Sequence, residues 1–90
     1  EHLLGRWGEL HAAGHGPSSP VAQAHAAAHV AWFAQIPGTP THANDPANAT
    51  AMVLGMANLY VTNPDFHPAF GSSEAADFAA QALRIHVSPT

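Results

Sequence analysis

Two histidines one helical turn apart, His25 and His29, have the type and spacing that most directly suggest chemistry. Side chains four positions apart lie on one face of a helix, so these two imidazoles could hold one metal ion. However, Ala26 stands where the HExxH motif of zinc peptidases has its glutamate. The spacing designates none of the remaining histidines as a third ligand. We therefore expect His25 and His29 to be hydrogen-bonding groups of a pocket, and we assign no metal and no cofactor.

A set of aromatic and methionine side chains suggests a second kind of site, an apolar pocket. Its members are Trp32, Phe33, Met52, Met56, Tyr60, Phe66 and Phe78. Trp32 and Tyr60 are the best candidates for ligand contact, because a ring with a polar group suits the wet edge of an apolar pocket. Flexible thioethers suit a pocket that accepts varied shapes. The alternative interpretation is that these residues form the core, which is the usual role of apolar side chains at helical spacing.

Helices must position these side chains, and the sequence marks where the helices begin. A capping side chain accepts a hydrogen bond from a free backbone N–H, and proline is well tolerated at the first helical position. The predicted starts are Ser19-Pro20, Asp45-Pro46, Asn63-Pro64 and Ser73-Glu74. Proline and glycine then end each segment. The predicted helices cover roughly 1–13, 20–35, 46–62 and 74–86, with a short helical turn at 64–70 and a Pro/Thr-rich loop at 36–44.

The three-and-four spacing of apolar residues predicts which helix faces are buried. The predicted faces are Val21, His25, Ala28, His29, Trp32 and Ile36 in the second helix, Met52, Met56, Leu59 and Tyr60 in the third, and Phe78, Ala82 and Ile85 in the last. No strand pattern and no internal repeat is visible. We therefore expect one all-α domain over residues 1–90, a compact bundle of four to five helices.

Composition excludes several classes of function. The 90 residues contain no cysteine, so no disulfide or thiolate site can form. With two arginines, no lysine and a formal charge of -4, the chain cannot build a basic patch for nucleic acid. No apolar run is long enough to span a membrane. Serine, histidine and acidic residues are all present, but the sequence contains no nucleophile elbow that would mark a catalytic serine. We expect a non-enzyme located in the cytoplasm, and because Glu1 rather than methionine begins the chain, a fragment of a longer protein.

Three groups of residues together resemble the TipA-S antibiotic-recognition domain, the C-terminal effector-binding part of certain MerR-type transcription activators. The first is Trp32-Phe33. The second runs from Met52 through Met56 to Leu59-Tyr60-Val61-x-Asn63-Pro64-x-Phe66, and the third is Ala76-x-Phe78-x-x-x-Ala82. The turn Gly14-x-Gly16-Pro17-x-Ser19-Pro20 is similar to the turn that precedes the family's tryptophan-bearing helix. The resemblance covers almost the whole chain and implies a globin-like helical arrangement that binds bulky hydrophobic antibiotics in a cleft.

The resemblance also implies partners. A small hydrophobic molecule would lie between the Trp32 face and the Met52–Tyr60 face, with Phe66 and Phe78 closing one side and loop 36–44 as an adjustable rim. DNA would be bound only by a separate N-terminal domain of a homodimeric parent protein. Some members capture their antibiotic through a cysteine, which this chain lacks, so we expect non-covalent binding. Two alternatives remain: a free-standing protein that gives resistance by sequestering a drug, and a histidine-rich metal or haem sensor.

Overall fold

The computed structural model describes residues 3–33, 35 and 46–87, and all of its regular elements are helices. They are α1 (Leu3–Ala12), α2 (Pro20–Phe33), α3 (Pro46–Thr62), a 3₁₀ turn (Pro64–Phe66), α4 (His67–Phe70) and α5 (Ser73–Val87). The predicted all-α bundle is confirmed, and the observed helix ends lie within about two residues of the predicted ones. The predicted loop at 36–44 and the cap at Asp45 lie outside the described residues.

Side-chain caps begin the helices as expected, with one displacement. The Ser19 hydroxyl accepts a hydrogen bond from the Ala22 N–H at 3.2 Å, and the Asn63 carboxamide oxygen accepts one from the Asp65 N–H at 3.0 Å. The cap predicted at Ser73 is wrong. Ser72 takes that role, because its hydroxyl accepts from the Ala75 N–H at 3.0 Å.

Helix α5 is the centre of the bundle, since it contacts α1, α2, α3 and α4. Its buried residues are Ala75, Ala76, Phe78, Ala79, Ala80, Ala82 and Leu83. Alanine side chains add little width to a helix, so neighbouring helices can approach α5 closely from several directions. Apart from Phe78 and Leu83 of α5, the large buried apolar side chains come from the surrounding elements: Trp7, Phe33, Val53, Tyr60 and Phe70.

The buried faces of α2 and α3 differ from those predicted. The buried residues of α2 are Ala22, Ala26, His29 and Phe33, whereas Val21 and Trp32 are 41% and 43% exposed. On α3 the buried residues are Val53, Ala57 and Tyr60, and Leu59 is 42% exposed. Both helices are apolar almost all round, so side-chain hydrophobicity alone does not mark one face. The predicted burial of Phe78 and Ala82 on α5 is confirmed.

Helices α1 and α4 meet at a glycine. A Cβ atom at Gly8 would collide with the carbonyl oxygen of Phe70, so only glycine permits this approach. Gly71 then ends α4 in the left-handed conformation, with φ of 103°, and its N–H is bonded to the His67 and Pro68 carbonyls. This corner places the Phe70 ring under Tyr60, with ring centroids 4.9 Å apart. In the described part of the chain, no helix has both the length and the apolar character needed to cross a membrane.

Candidate functional site

A buried hydrogen-bonded chain joins α1, α2 and α3. The Trp7 indole N–H donates to Nδ1 of His29 at 2.8 Å, and Nε2 of His29 lies 3.2 Å from the Tyr60 hydroxyl oxygen. All three side chains are at most 1% exposed. The chain therefore connects three separate helices inside an otherwise apolar core.

The direction of hydrogen bonding in this chain follows from the chemistry of tryptophan. An indole nitrogen can only donate, so Nδ1 of His29 must carry a lone pair rather than a proton. The single proton of the neutral imidazole is then on Nε2, which donates to the Tyr60 oxygen. Burial, with a smaller contribution from His25, lowers the pKa of His29 from 6.5 to about 4, so the ring is neutral at pH 7. Burial also raises the pKa of Tyr60 from 10.0 to about 12, so its hydroxyl stays protonated.

His25 lies one turn before His29 and is half-buried. Its side chain contacts the start of α1. Its Nε2 lies 2.8 Å from the Leu3 carbonyl oxygen, and its ring packs edge-on against Trp7 with centroids 4.6 Å apart. Since the carbonyl only accepts, His25 carries its proton on Nε2. His25 thus connects α2 to the start of α1.

The geometry of the two histidines disfavours a shared metal ion. Both ring nitrogens of His29 are occupied, one by Trp7 and one by Tyr60, and a metal would have to displace one of them. Among the described residues, no group of three or more histidine or acidic side chains is placed to hold an ion.

Trp32 is the member of the predicted site that faces solvent. It is 43% exposed, and its ring lies 6.1 Å from that of His29 and 5.6 Å from that of Phe33. His29 and Phe33 are buried beneath it. The exposed indole therefore offers an apolar surface one side chain away from a buried polar contact.

The predicted residues of α3 lie next to this arrangement. Met52 and Met56 are partly buried and pack against the core. Phe66 is also partly buried and meets Tyr60 edge-to-face, with centroids 5.2 Å apart. The bond between His29 and Tyr60 therefore links the Trp32 face of α2 to the methionine-bearing helix.

Phe78 lies apart from the other predicted residues. Its ring packs against Trp7 and His11, with centroids 5.7 Å away in each case. Within the described residues it makes no ring contact with Tyr60 or Phe66. It instead forms part of the wall of a groove of about 480 Å³ between the end of α1 and the start of α5, together with His15.

Trp7 is the central residue that the sequence analysis did not select. Trp7 lies outside the motif that resembles the family, and the first helix was predicted mainly from the glycine and proline residues that end it. A signal was nevertheless present, because Leu3, Trp7 and Leu10 follow the spacing of an amphipathic helix, and Trp7 and Leu10 are buried.

The chain matches a known protein family. The family model for the TipAS antibiotic-recognition domain matches residues 1–86. Comparisons with curated proteins and with solved structures found no match.

Proposed function

Because this chain belongs to the TipAS antibiotic-recognition domain family, we propose that it binds a bulky, largely apolar ligand without forming a covalent bond. The observation that carries the proposal is the exposed Trp32 ring, which lies directly beside the buried His29–Tyr60 bridge. Tryptophan is enriched at interfaces because it combines a large apolar ring with a polar N–H group. The absence of cysteine from the 90 residues removes the thiol that covalent capture would need.

We place the ligand in a cleft between the Trp32 face of α2 and the opposing face of α3. The proposed contact residues are His25, His29, Trp32, Phe33, Met52, Met56, Tyr60 and Phe66. Phe78, which was also predicted, is left out because it packs against Trp7 and His11. Trp32 provides the apolar surface, and the methionines adapt to ligand shape. The Tyr60 hydroxyl, held in place by His29, provides a polar group at the base of the cleft, and Phe66 limits the cleft beyond Tyr60. Grooves between helices that are mainly apolar with a few polar groups are common ligand sites.

At the level of the whole protein, the chain would act as the effector-binding sensor of a MerR-type activator in the cytoplasm. Residues 1–90 would form one ligand-binding domain, and a separate N-terminal domain of a homodimeric parent would bind DNA. Ligand binding would shift the conformational population of the sensor. The formal charge of -4 supports a separate DNA-binding domain, because this segment cannot itself supply a basic patch for DNA. The sequence of the parent reading frame tests the arrangement directly.

The ligand proposal is tested by calorimetric titration of the protein with a panel of thiopeptides and other aromatic antibiotics. The key variant is Trp32→Ala, and the matched control is Val21→Ala, since both residues lie on α2 and are 43% and 41% exposed. Truncation of an aromatic anchor typically costs about 1–3 kcal/mol of binding free energy. We expect that loss for Trp32→Ala and no change for Val21→Ala, with both proteins folded by circular dichroism.

Three results would contradict the proposal in different ways. If folded Trp32→Ala binds as tightly as the parent, the cleft is elsewhere. If no compound of the panel binds, the apolar-ligand function itself is wrong. Tight binding of a divalent metal in place of the panel would favour the histidine-based alternative.

A further inference from the structure

The hydrogen-bonded chain that begins at Trp7 leaves one proton without an acceptor. Trp7 donates to His29, and His29 therefore donates to the oxygen of Tyr60. The Tyr60 hydroxyl thus receives a hydrogen bond on its oxygen, and its own proton must point in another direction. Within the described part of the chain, no group accepts that proton from Tyr60.

It is unusual for a hydroxyl group as deeply buried as that of Tyr60 to have no acceptor for its proton. Tyr60 is 1% exposed, and Phe66 and Phe70 pack edge-to-face against its ring. A buried hydroxyl proton without a partner costs free energy, which an incoming acceptor recovers. Tyr60 is bonded to His29, and the His29 ring lies 6.1 Å from the ring of the exposed Trp32, so a single side chain separates the Tyr60 hydroxyl from the exposed indole.

We propose that the Tyr60 hydroxyl donates a hydrogen bond to the ligand and so determines which apolar compounds are selected. The ligand class is a ring-rich apolar molecule with an acceptor atom near one ring, either a carbonyl oxygen or an unprotonated ring nitrogen. A group that can only donate, such as a protonated amine, would meet the Tyr60 proton at the same place and would be disfavoured. The inference rests on the proposed function, because it assumes that a ligand occupies the cleft beside Trp32.

Trp7 is a positioning residue in this scheme, since it fixes the proton of His29 on Nε2. If Nδ1 carried the proton instead, Nε2 would accept from Tyr60 and no donor would remain for the ligand. The direction of the whole chain therefore depends on the indole N–H of α1.

The first test needs no ligand. Long-range proton–nitrogen NMR spectra of the protein at pH 7 distinguish a protonated imidazole nitrogen from one with a lone pair. We expect Nε2 of His29 to carry the proton. A proton on Nδ1 would overturn the proposal, because the chain would then run in the opposite direction.

The second test uses two probes of nearly equal size and shape, benzophenone and diphenylmethane. They differ in one carbonyl oxygen, which is the acceptor that the proposal requires. We expect benzophenone to bind the parent protein roughly 3- to 10-fold more tightly, in line with one neutral hydrogen bond. Its carbonyl stretching frequency should fall on binding. Equal affinities, an unshifted carbonyl band or no binding of benzophenone would each overturn the proposal.

Tyr60→Phe should remove the preference for benzophenone and leave the affinity for diphenylmethane nearly unchanged. A preference that persists in the folded variant would overturn the role of Tyr60. If Tyr60→Phe does not fold, the infrared band of benzophenone on the parent protein decides the question. Trp32→Ala separates the two proposals, because it should weaken both probes alike. If it weakens neither, the cleft itself is misplaced, whatever Tyr60 does.

Discussion

Acid should destabilise the folded protein, because His29 is buried in its neutral form and resists protonation. The ring is fully buried, and burial lowers its pKa from 6.5 to about 4. Below pH 6.5 the unfolded chain binds a proton at this residue while the folded protein does not, so stability falls as the pH falls. The loss ends near pH 4, where folded His29 also binds its proton. Since each pH unit of separation is worth about 1.4 kcal/mol, the folded state should lose about 3 kcal/mol over this window.

The physical reason is a conflict between two donors. Protonation places an N–H on Nδ1 of His29, directly opposite the Trp7 N–H that is 2.8 Å away. It also places a charge among buried apolar side chains, with His25 nearby. The histidine must then either break its bond to Trp7 or leave the core.

The assay is urea unfolding followed by circular dichroism between pH 7 and pH 4, with His29→Gln as the comparison. Glutamine can accept from Trp7 through its oxygen and donate to Tyr60 through its nitrogen, but it does not titrate. The variant should be less stable at pH 7 and should lose about 3 kcal/mol less on acidification than the parent. All other titrating groups are common to the two proteins. Equal losses in parent and variant would refute the reasoning.

Two further predictions concern single contacts. Gly8→Ala should lower the free energy of unfolding by about 1–3 kcal/mol because its Cβ meets the Phe70 carbonyl. Gly55→Ala is the control, and it should raise the free energy of unfolding by up to about 1 kcal/mol because no atom lies near its Cβ. Urea unfolding measures both changes, and a Gly8→Ala variant as stable as the parent would contradict the α1–α4 contact. Trp7→Phe should cost about 1–3 kcal/mol by leaving Nδ1 of His29 without a donor. It should also raise the pKa of His29, measured by NMR titration, and an unchanged pKa would show that Trp7 does not set the protonation of His29.

Helix positions could be predicted from the sequence because their signals are local. Proline and a capping side chain act on the turn that they begin, so Pro20 and Pro64 mark helix starts that the structure reproduces. The cap before α5 was missed by one residue because Ser72 and Ser73 are equivalent as sequence signals. Only the hydrogen bond from Ala75 distinguishes them.

The site was harder to predict because it depends on contacts between distant parts of the chain. His29 and Tyr60 were both selected, yet their bond spans 31 positions and no local pattern announces it. Trp32 was placed on the buried face of α2, and the structure exposes it, since alanines at 22 and 26 fill that face instead. Trp7 was missed because its role appears only when α1 packs against α2.

The buried alanines of α5 restrict which positions of this domain can accept substitutions. Each buried alanine there faces a closely packed neighbour, so any larger side chain forces helices apart. Few residue types other than alanine should be tolerated at those positions. Trp32 is 43% exposed and Met52 and Met56 are only partly buried, so substitutions at these positions should disturb the core less. If the proposed cleft holds the ligand, single substitutions on α2 and α3 would alter which molecules bind while the packing around α5 stays the same.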